Sequence, residues 1–126
     1  LKRPKRILKQ KSKAELKIIV DAMIEKLDEY KALDLQVLDV SDKTDVCHYM
    51  IVGSGTSSRH VSAVADKLVQ FIKHDFDDVD HRVEGAKEGY WVLVDCYDIV
   101  IHLFQKEARE YYNIEKIWDS ITIEDE

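Results

Sequence analysis

Apolar residues in the first quarter of the chain keep helical spacing. Leu16, Ile19, Val20, Met23, Ile24 and Leu27 recur at i, i+3, i+4 and i+7 intervals, which predicts an amphipathic helix running to about Tyr30. Ser12 followed by Glu15 three residues on is the pattern of a reciprocal capping box at its start. In "LDLQVLDV", Leu33, Leu35 and Val37 alternate with Asp34 and Gln36, a strand pattern ending at Val40. The polar turn "SDKTDV" leads to a second strand, "CHYMIVGS", ending at Gly53. Thr56 or Ser57 then caps a helix that sets Val61, Val64, Leu68, Phe71 and Ile72 on one face. An acidic turn, "KHDFDDVD", closes it. "HRVEG", "YWVLVDC" and "DIVIHLFQ" read as three short strands, joined by turns at "KEGY" and "DCYD". The segment "KEAREYYNIEKIWDSI" reads as helix, in two pieces broken near Asn113. The order αββαβββα predicts a single α/β domain, with helices packed on a mixed sheet of about five strands.

Charge divides the chain in a way the apolar pattern does not. Residues 1–17 hold eight Lys and Arg and one Glu, a balance of +7, and the remainder holds 11 basic and 24 acidic residues, a balance of −13. A basic arm over residues 1–11 is therefore expected before a domain over 12–119 and an acidic tail over 120–126. An acidic body repels nucleic-acid backbones and suits a basic protein partner, whereas the arm suits phosphate. With 126 residues and 45% hydrophobic composition, the chain is long enough for one sizeable core. No apolar run approaches the roughly 20 residues that span a bilayer. No secretory leader pattern follows the basic start. The two cysteines, Cys47 and Cys96, form neither a CxxC nor a disulfide framework, so reduced thiols are expected.

The stretch with the outline of a reaction site is "GSGTSSRH", Gly53 to His60, which joins a strand to a helix. A phosphate-binding P-loop would carry a Lys after its glycines, and none is present. The dinucleotide fingerprint needs a third Gly, and Ser58 stands there. A helix start bearing Ser57, Ser58 and Arg59 could hold an anion. Nucleotidyltransferases pair a Gly-Ser with an Asp-x-Asp that binds two metal ions, and Gly53-Ser54 and Asp78-Val-Asp80 match those types. About five helical turns separate the two, and Asp78 lies among other helix-end charges, so solvated surface carboxylates are the expected reading. The five histidines show no metal-binding spacing. Cys47 and His48 are strand neighbours that point to opposite faces, against a Cys–His dyad. His102 alternates with Val100 and Phe104, which favours a hydrogen-bonded structural histidine. No catalytic residue, metal or cofactor is therefore assigned.

Aromatic residues concentrate in the last third: Trp91, Tyr97, Tyr111, Tyr112 and Trp118. Such residues anchor protein interfaces, although Trp118 is expected in the core. Trp91 alternates with Leu93 and Asp95, and a core stripe would hardly continue into Asp95. Trp91 is thus expected on an exposed face, with Val92 and Val94 turned to the core.

Five blocks, "ALDLQVLDV", "YMIVGSGTSSRHVSAVAD", "HRVEG", "WVLVDCYDIVIHLF" and "EAREYYNIEKIW", occur in this order. Together they resemble the ribosomal silencing factor family, RsfS or Iojap, over about Glu15 to Trp118. The resemblance implies a nucleotidyltransferase-like fold without transferase activity. It implies binding to the large ribosomal subunit through the universal ribosomal protein L-fourteen, which blocks joining of the small subunit and represses translation. In organelles it implies a role in large-subunit assembly. Glu84, Trp91, Asp95, His102, Arg109, Tyr111 and Tyr112 would form the partner-binding face. The basic arm lies outside the resemblance, and its charge suits either contact with ribosomal RNA or a solvated tail; a homodimer is an expected state of the free protein, and the location would be the cytoplasm, or the matrix of a mitochondrion or plastid. Two positions depart from the family pattern: His48 replaces an Asp, and Tyr97 replaces a Gly in the "DCYD" turn. That turn is expected to be reshaped.

Overall fold

The computed structural model describes residues 11–119. The acidic tail and all but Lys11 of the basic arm lie outside the described residues. Helix α1 (Lys13–Glu29) starts with the expected box: Ser12 Oγ accepts from the Glu15 N–H at 3.1 Å, and the Ser12 N–H donates to the Glu15 carboxylate at 2.8 Å. Strands β1 (Leu33–Asp39) and β2 (Tyr49–Gly55) follow, then helix α2 (Ser58–Asp75), strands β3 (Arg82–Glu84), β4 (Trp91–Asp95) and β5 (Ile99–Gln105), and helices α3 (Lys106–Tyr112) and α4 (Ile114–Asp119). The break between the last two falls at Asn113, which takes a left-handed φ of 47°.

The strands form one mixed sheet in the order β1-β2-β5-β4-β3, with β2 and β5 parallel and the other pairs antiparallel. Because side chains alternate across a sheet, each strand serves two faces. On one face Tyr49, Ile51, Val92, Val94, Ile99, Ile101 and Leu103 pack under the apolar stripes of α1 and α2. On the other, Met50, Val52 and Phe104 pack against Ile114, Ala108 and Trp118 of the shorter helices.

Three expectations are modified. The alternation in β1 does not become a buried stripe: Leu33 and Val37 are exposed and Leu35 is half-buried. β1 is an edge strand, and its register shifts between Leu33 and Gln36, where Asp34 has a φ of 50°. Trp118 is half-buried, lying over Leu38 and the Val40, Cys47 and Val100 cluster, because α4 sits at the rim of its face. The "DCYD" turn keeps a geometry that suits Gly. Tyr97 takes a φ of 69°, and its N–H donates to Asp95 Oδ1 at 2.9 Å. This hydrogen bond offsets part of the cost of a left-handed tyrosine.

Candidate protein-docking face

The glycine-rich stretch is committed to the fold. Ser57 is the cap of α2, its hydroxyl accepting from the His60 N–H at 3.1 Å. His60 Nδ1 accepts from the Thr56 N–H at 3.0 Å, and its Nε2 lies 3.3 Å from the Tyr30 carbonyl, tying the loop to the end of α1. The glycines answer a packing need: a Cβ on Gly53 would come within 2.8 Å of Leu35, and one on Gly55 within 2.7 Å of Val61. Ser54 is buried, and its hydroxyl accepts from Arg109 Nη1 at 2.7 Å.

Ser54 is also far from the carboxylates proposed as its metal-binding partners. It is in register with Phe104 near the end of β5, whereas Asp78 and Asp80 border Tyr97 to Ile99 at its start. Five residues of strand, about 17 Å, separate those levels. Asp78 instead pairs with Lys11. Among the described residues, no three His, Cys, Asp or Glu side chains are grouped to hold a metal ion. Cys47 and His48 precede β2 and are not strand residues; Cys47 is buried against Val40 and Val100, and His48 Nδ1 lies 3.6 Å from Asp98.

The residues expected at the partner face separate into two sets. Trp91, Tyr112 and Tyr111 meet on the α3 side of the sheet. The Trp91 ring centroid is 4.9 Å from Phe104 and 4.7 Å from Tyr112, and Tyr112 stands edge-on to Tyr111 at 5.0 Å. Tyr111 is 82% exposed and Tyr112 47%, while Trp91 is half-buried, so the expectation of a freely exposed tryptophan is corrected. The cause is α3, which returns over the end of β5 and lays Tyr112 on the indole. The other face of the strand is as expected, with Val92 and Val94 fully buried. Glu84, Gly85, Trp91 and Leu93 line an open groove beside the aromatic cluster. The Glu84 carboxylate stands half-exposed there, 3.9 Å from Arg82.

Asp95, His102 and Arg109 are buried instead of presented. Asp95 holds the Tyr97 turn. His102 Nδ1 accepts from the Trp91 indole N–H at 3.0 Å. Burial pushes the His102 imidazole down from 6.5 to about 4, against the opposing pull of Asp95 and Glu115. Arg109 donates to the Glu115 carboxylate through Nη2 at 2.7 Å and Nε at 3.2 Å, besides its bond to Ser54. This joint fixes α3, and with it Tyr112, against β2. Glu115 carried no signal in the sequence, because its pairing with Arg109 spans the Asn113 break and falls outside helical i, i+4 spacing. Gly85 was equally silent, although it bounds the groove.

Fold and face together define a small α/β domain that presents an aromatic surface with a carboxylate at its edge. Residues 9–126 match the family profile "Ribosomal silencing factor during starvation", RsfS. The ribosomal silencing factor RsfS of Zymomonas mobilis is 40% identical over 103 residues, covering 82% of this chain and 74% of that protein. RsfS of Haemophilus influenzae is 38% identical, covering 79% of this chain and 97% of that one. A mouse protein named for mitochondrial assembly of the ribosomal large subunit is 34% identical, covering 87% of this chain and 49% of its own length. The crystal structure of a Chromobacterium violaceum protein superposes with a TM-score of 0.78 at 36% identity, over 84% of this chain and 88% of that one. The chain belongs to the RsfS family of ribosomal silencing factors.

Proposed function

We propose that this protein binds the large ribosomal subunit through ribosomal protein L-fourteen and, while seated there, blocks joining of the small subunit. The observation that carries this reading is the aromatic cluster of Trp91, Tyr112 and Tyr111 beside the Glu84 groove. Aromatic side chains bury large areas at little conformational cost and dominate interface energetics. The acidic domain is electrostatically matched to a basic ribosomal protein. The basic arm adds phosphate contact with ribosomal RNA to the same reading. The compartment is that of the ribosome it serves, the bacterial cytoplasm or, for an organellar form, the matrix.

Trp91→Ala tests it. Removing the indole is expected to weaken co-sedimentation with large subunits at least tenfold, a difference of about 1.4 kcal/mol. It also removes packing on Phe104 and Tyr112, so a stability loss of about 1–2 kcal/mol accompanies it. A folded Trp91→Ala protein that binds subunits like the wild type would sink the proposal.

A further inference from the structure

We propose that His102 is the positioning residue of the docking face: it fixes the Trp91 indole in its binding orientation without itself meeting the partner. The inference rests on the reading of Trp91 as the anchor. His102 is 9% exposed and lies in register with Leu93 on one side and Val52 on the other, so little of it is available to a second protein. Its Nδ1 is already taken by the Trp91 Nε1–H at 3.0 Å. An indole N–H only donates, so Nδ1 must be the unprotonated nitrogen. Burial keeps the ring neutral at neutral pH and so keeps that acceptor in place.

The other contacts of the indole do not perform this task. Phe104 and Tyr112 contact the ring at 4.9 and 4.7 Å, with interplanar angles of 29° and 44°. Contacts of this kind limit where the ring sits but are tolerant of its rotation, and the second side-chain torsion of tryptophan is intrinsically broad. A single directed hydrogen bond to a buried acceptor removes that freedom. A partner then meets an indole whose exposed edge is already oriented, and the ordering cost of binding is reduced. His102 therefore raises affinity from behind the surface.

The test uses one acceptor-deleting and one acceptor-keeping variant. His102→Leu removes the acceptor, and His102→Asn places a carbonyl oxygen close to where Nδ1 stood. His102→Leu is expected to weaken large-subunit binding about five- to tenfold, and His102→Asn to stay within about threefold of wild type. The second readout is the fluorescence of the free protein carrying Trp118→Phe, which leaves Trp91 as the sole tryptophan. There His102→Leu should shift the emission maximum and increase acrylamide quenching, and His102→Asn should preserve both. Unchanged emission, quenching and affinity in His102→Leu would overturn the assignment. If His102→Leu does not fold, His102→Asn decides: wild-type emission upholds the positioning role and altered emission rejects it. Should Trp91→Ala leave subunit binding intact, the docking reading fails, while the fluorescence response of His102→Leu still reports whether His102 holds the indole.

Discussion

The two faces of this sheet are made from the same strands and finished differently. In β4, Val92 and Val94 are fully buried under α1 and α2, while Trp91 and Leu93, one residue out of phase, are half-buried on the other side. The first face is closed by 17- and 18-residue helices that bring whole apolar stripes. The second is covered by helices of 7 and 6 residues, which reach β2 and β5 but leave β4 beside an open groove. Cover on the first face comes from distributed apolar burial. On the second, smaller apolar clusters are joined by a few polar contacts, Arg109 to Glu115 and Ser54 and Trp91 to His102. The proposed docking surface lies where cover is short and held at points.

The largest expected effect follows from breaking the first of those joints. The Arg109 and Glu115 side chains are only 10% and 17% exposed. Arg109→Met strands a buried carboxylate, and losing one partner of such a pair typically costs about 3–5 kcal/mol. Thermal or urea unfolding should show the loss, with subunit affinity falling as Tyr112 loosens. Adding Glu115→Leu should recover part of the stability, because the unpaired charge is gone. If the single substitution is silent in unfolding, apolar contacts hold α3 and the contrast between the faces is overstated.

Acid should act next, and on the second face. The folded state holds His102 near 4 against an ordinary value of 6.5. Above about pH 6.5 the histidine is neutral whether the chain is folded or not, and it contributes no pH dependence. As pH falls from there towards 4, the unfolded chain takes up a proton that the folded protein refuses. Stability therefore declines, to a total on the order of 3 kcal/mol, and the loss levels off below about pH 4. Asp39 also titrates, but its carboxyl is held below 3.8, chiefly by hydrogen bonding to Ser41, so its contribution is lost at lower pH. Denaturant midpoints of wild type and His102→Asn between pH 7.5 and 4 separate the two: the substitution should flatten the slope within the histidine window.

Gly85 offers a smaller effect directed at the groove. Its φ is +83°, and a Cβ there would stand 2.2 Å from the Trp91 carbonyl oxygen. Gly85→Ala should cost about 1–3 kcal/mol from the left-handed backbone and the clash together. It should also weaken subunit binding, because the carbonyl that must yield belongs to the anchor residue. Unfolding and sedimentation on one preparation measure both, and unchanged affinity would detach the groove from the docking face.

Legibility in the sequence followed the same division between faces. The stripes of α1 and α2, both caps, all five strands and the Asn113 break are local signals of period and capping, and they were readable. The aromatic members of the proposed face were readable too, because tryptophan and tyrosine stand out wherever they occur. Their division of labour was not. Asp95 and Arg109 look like surface chemistry in a one-dimensional chain and become internal supports only once Tyr97 and Ser54 are brought to them, and His102, whose alternation marked it as structural, gave no sign that its partner is Trp91. Two of those contacts, Trp91 to His102 and Arg109 to Ser54, link separate elements. The Tyr97 turn was misjudged for a different reason. A residue with a Cβ usually avoids positive φ, but the Asp95 hydrogen bond holds Tyr97 there.

The smallest expected effect belongs to the residues that most resembled a reaction site. Asp78 and Asp80 share residue types with a two-metal centre, but they lie at the start of β5, about 17 Å along the strand from the level of Ser54. The Asp78 side chain is 60% exposed and paired with Lys11, which holds its carboxyl below the usual range through a hydrogen bond. An exposed pair of this kind is screened by solvent, and surface substitutions away from packed features change stability little. Asp78→Asn with Asp80→Asn should therefore leave large-subunit binding and inhibition of subunit joining within about twofold of wild type. The pair is also remote from the aromatic cluster, so the substitutions should not alter Trp91 fluorescence. Loss of inhibition with binding intact would give the two carboxylates a role beyond docking and reopen a metal-dependent reading of this end of the sheet. Loss of binding itself would move the docking face from the Trp91 side to the α1 side.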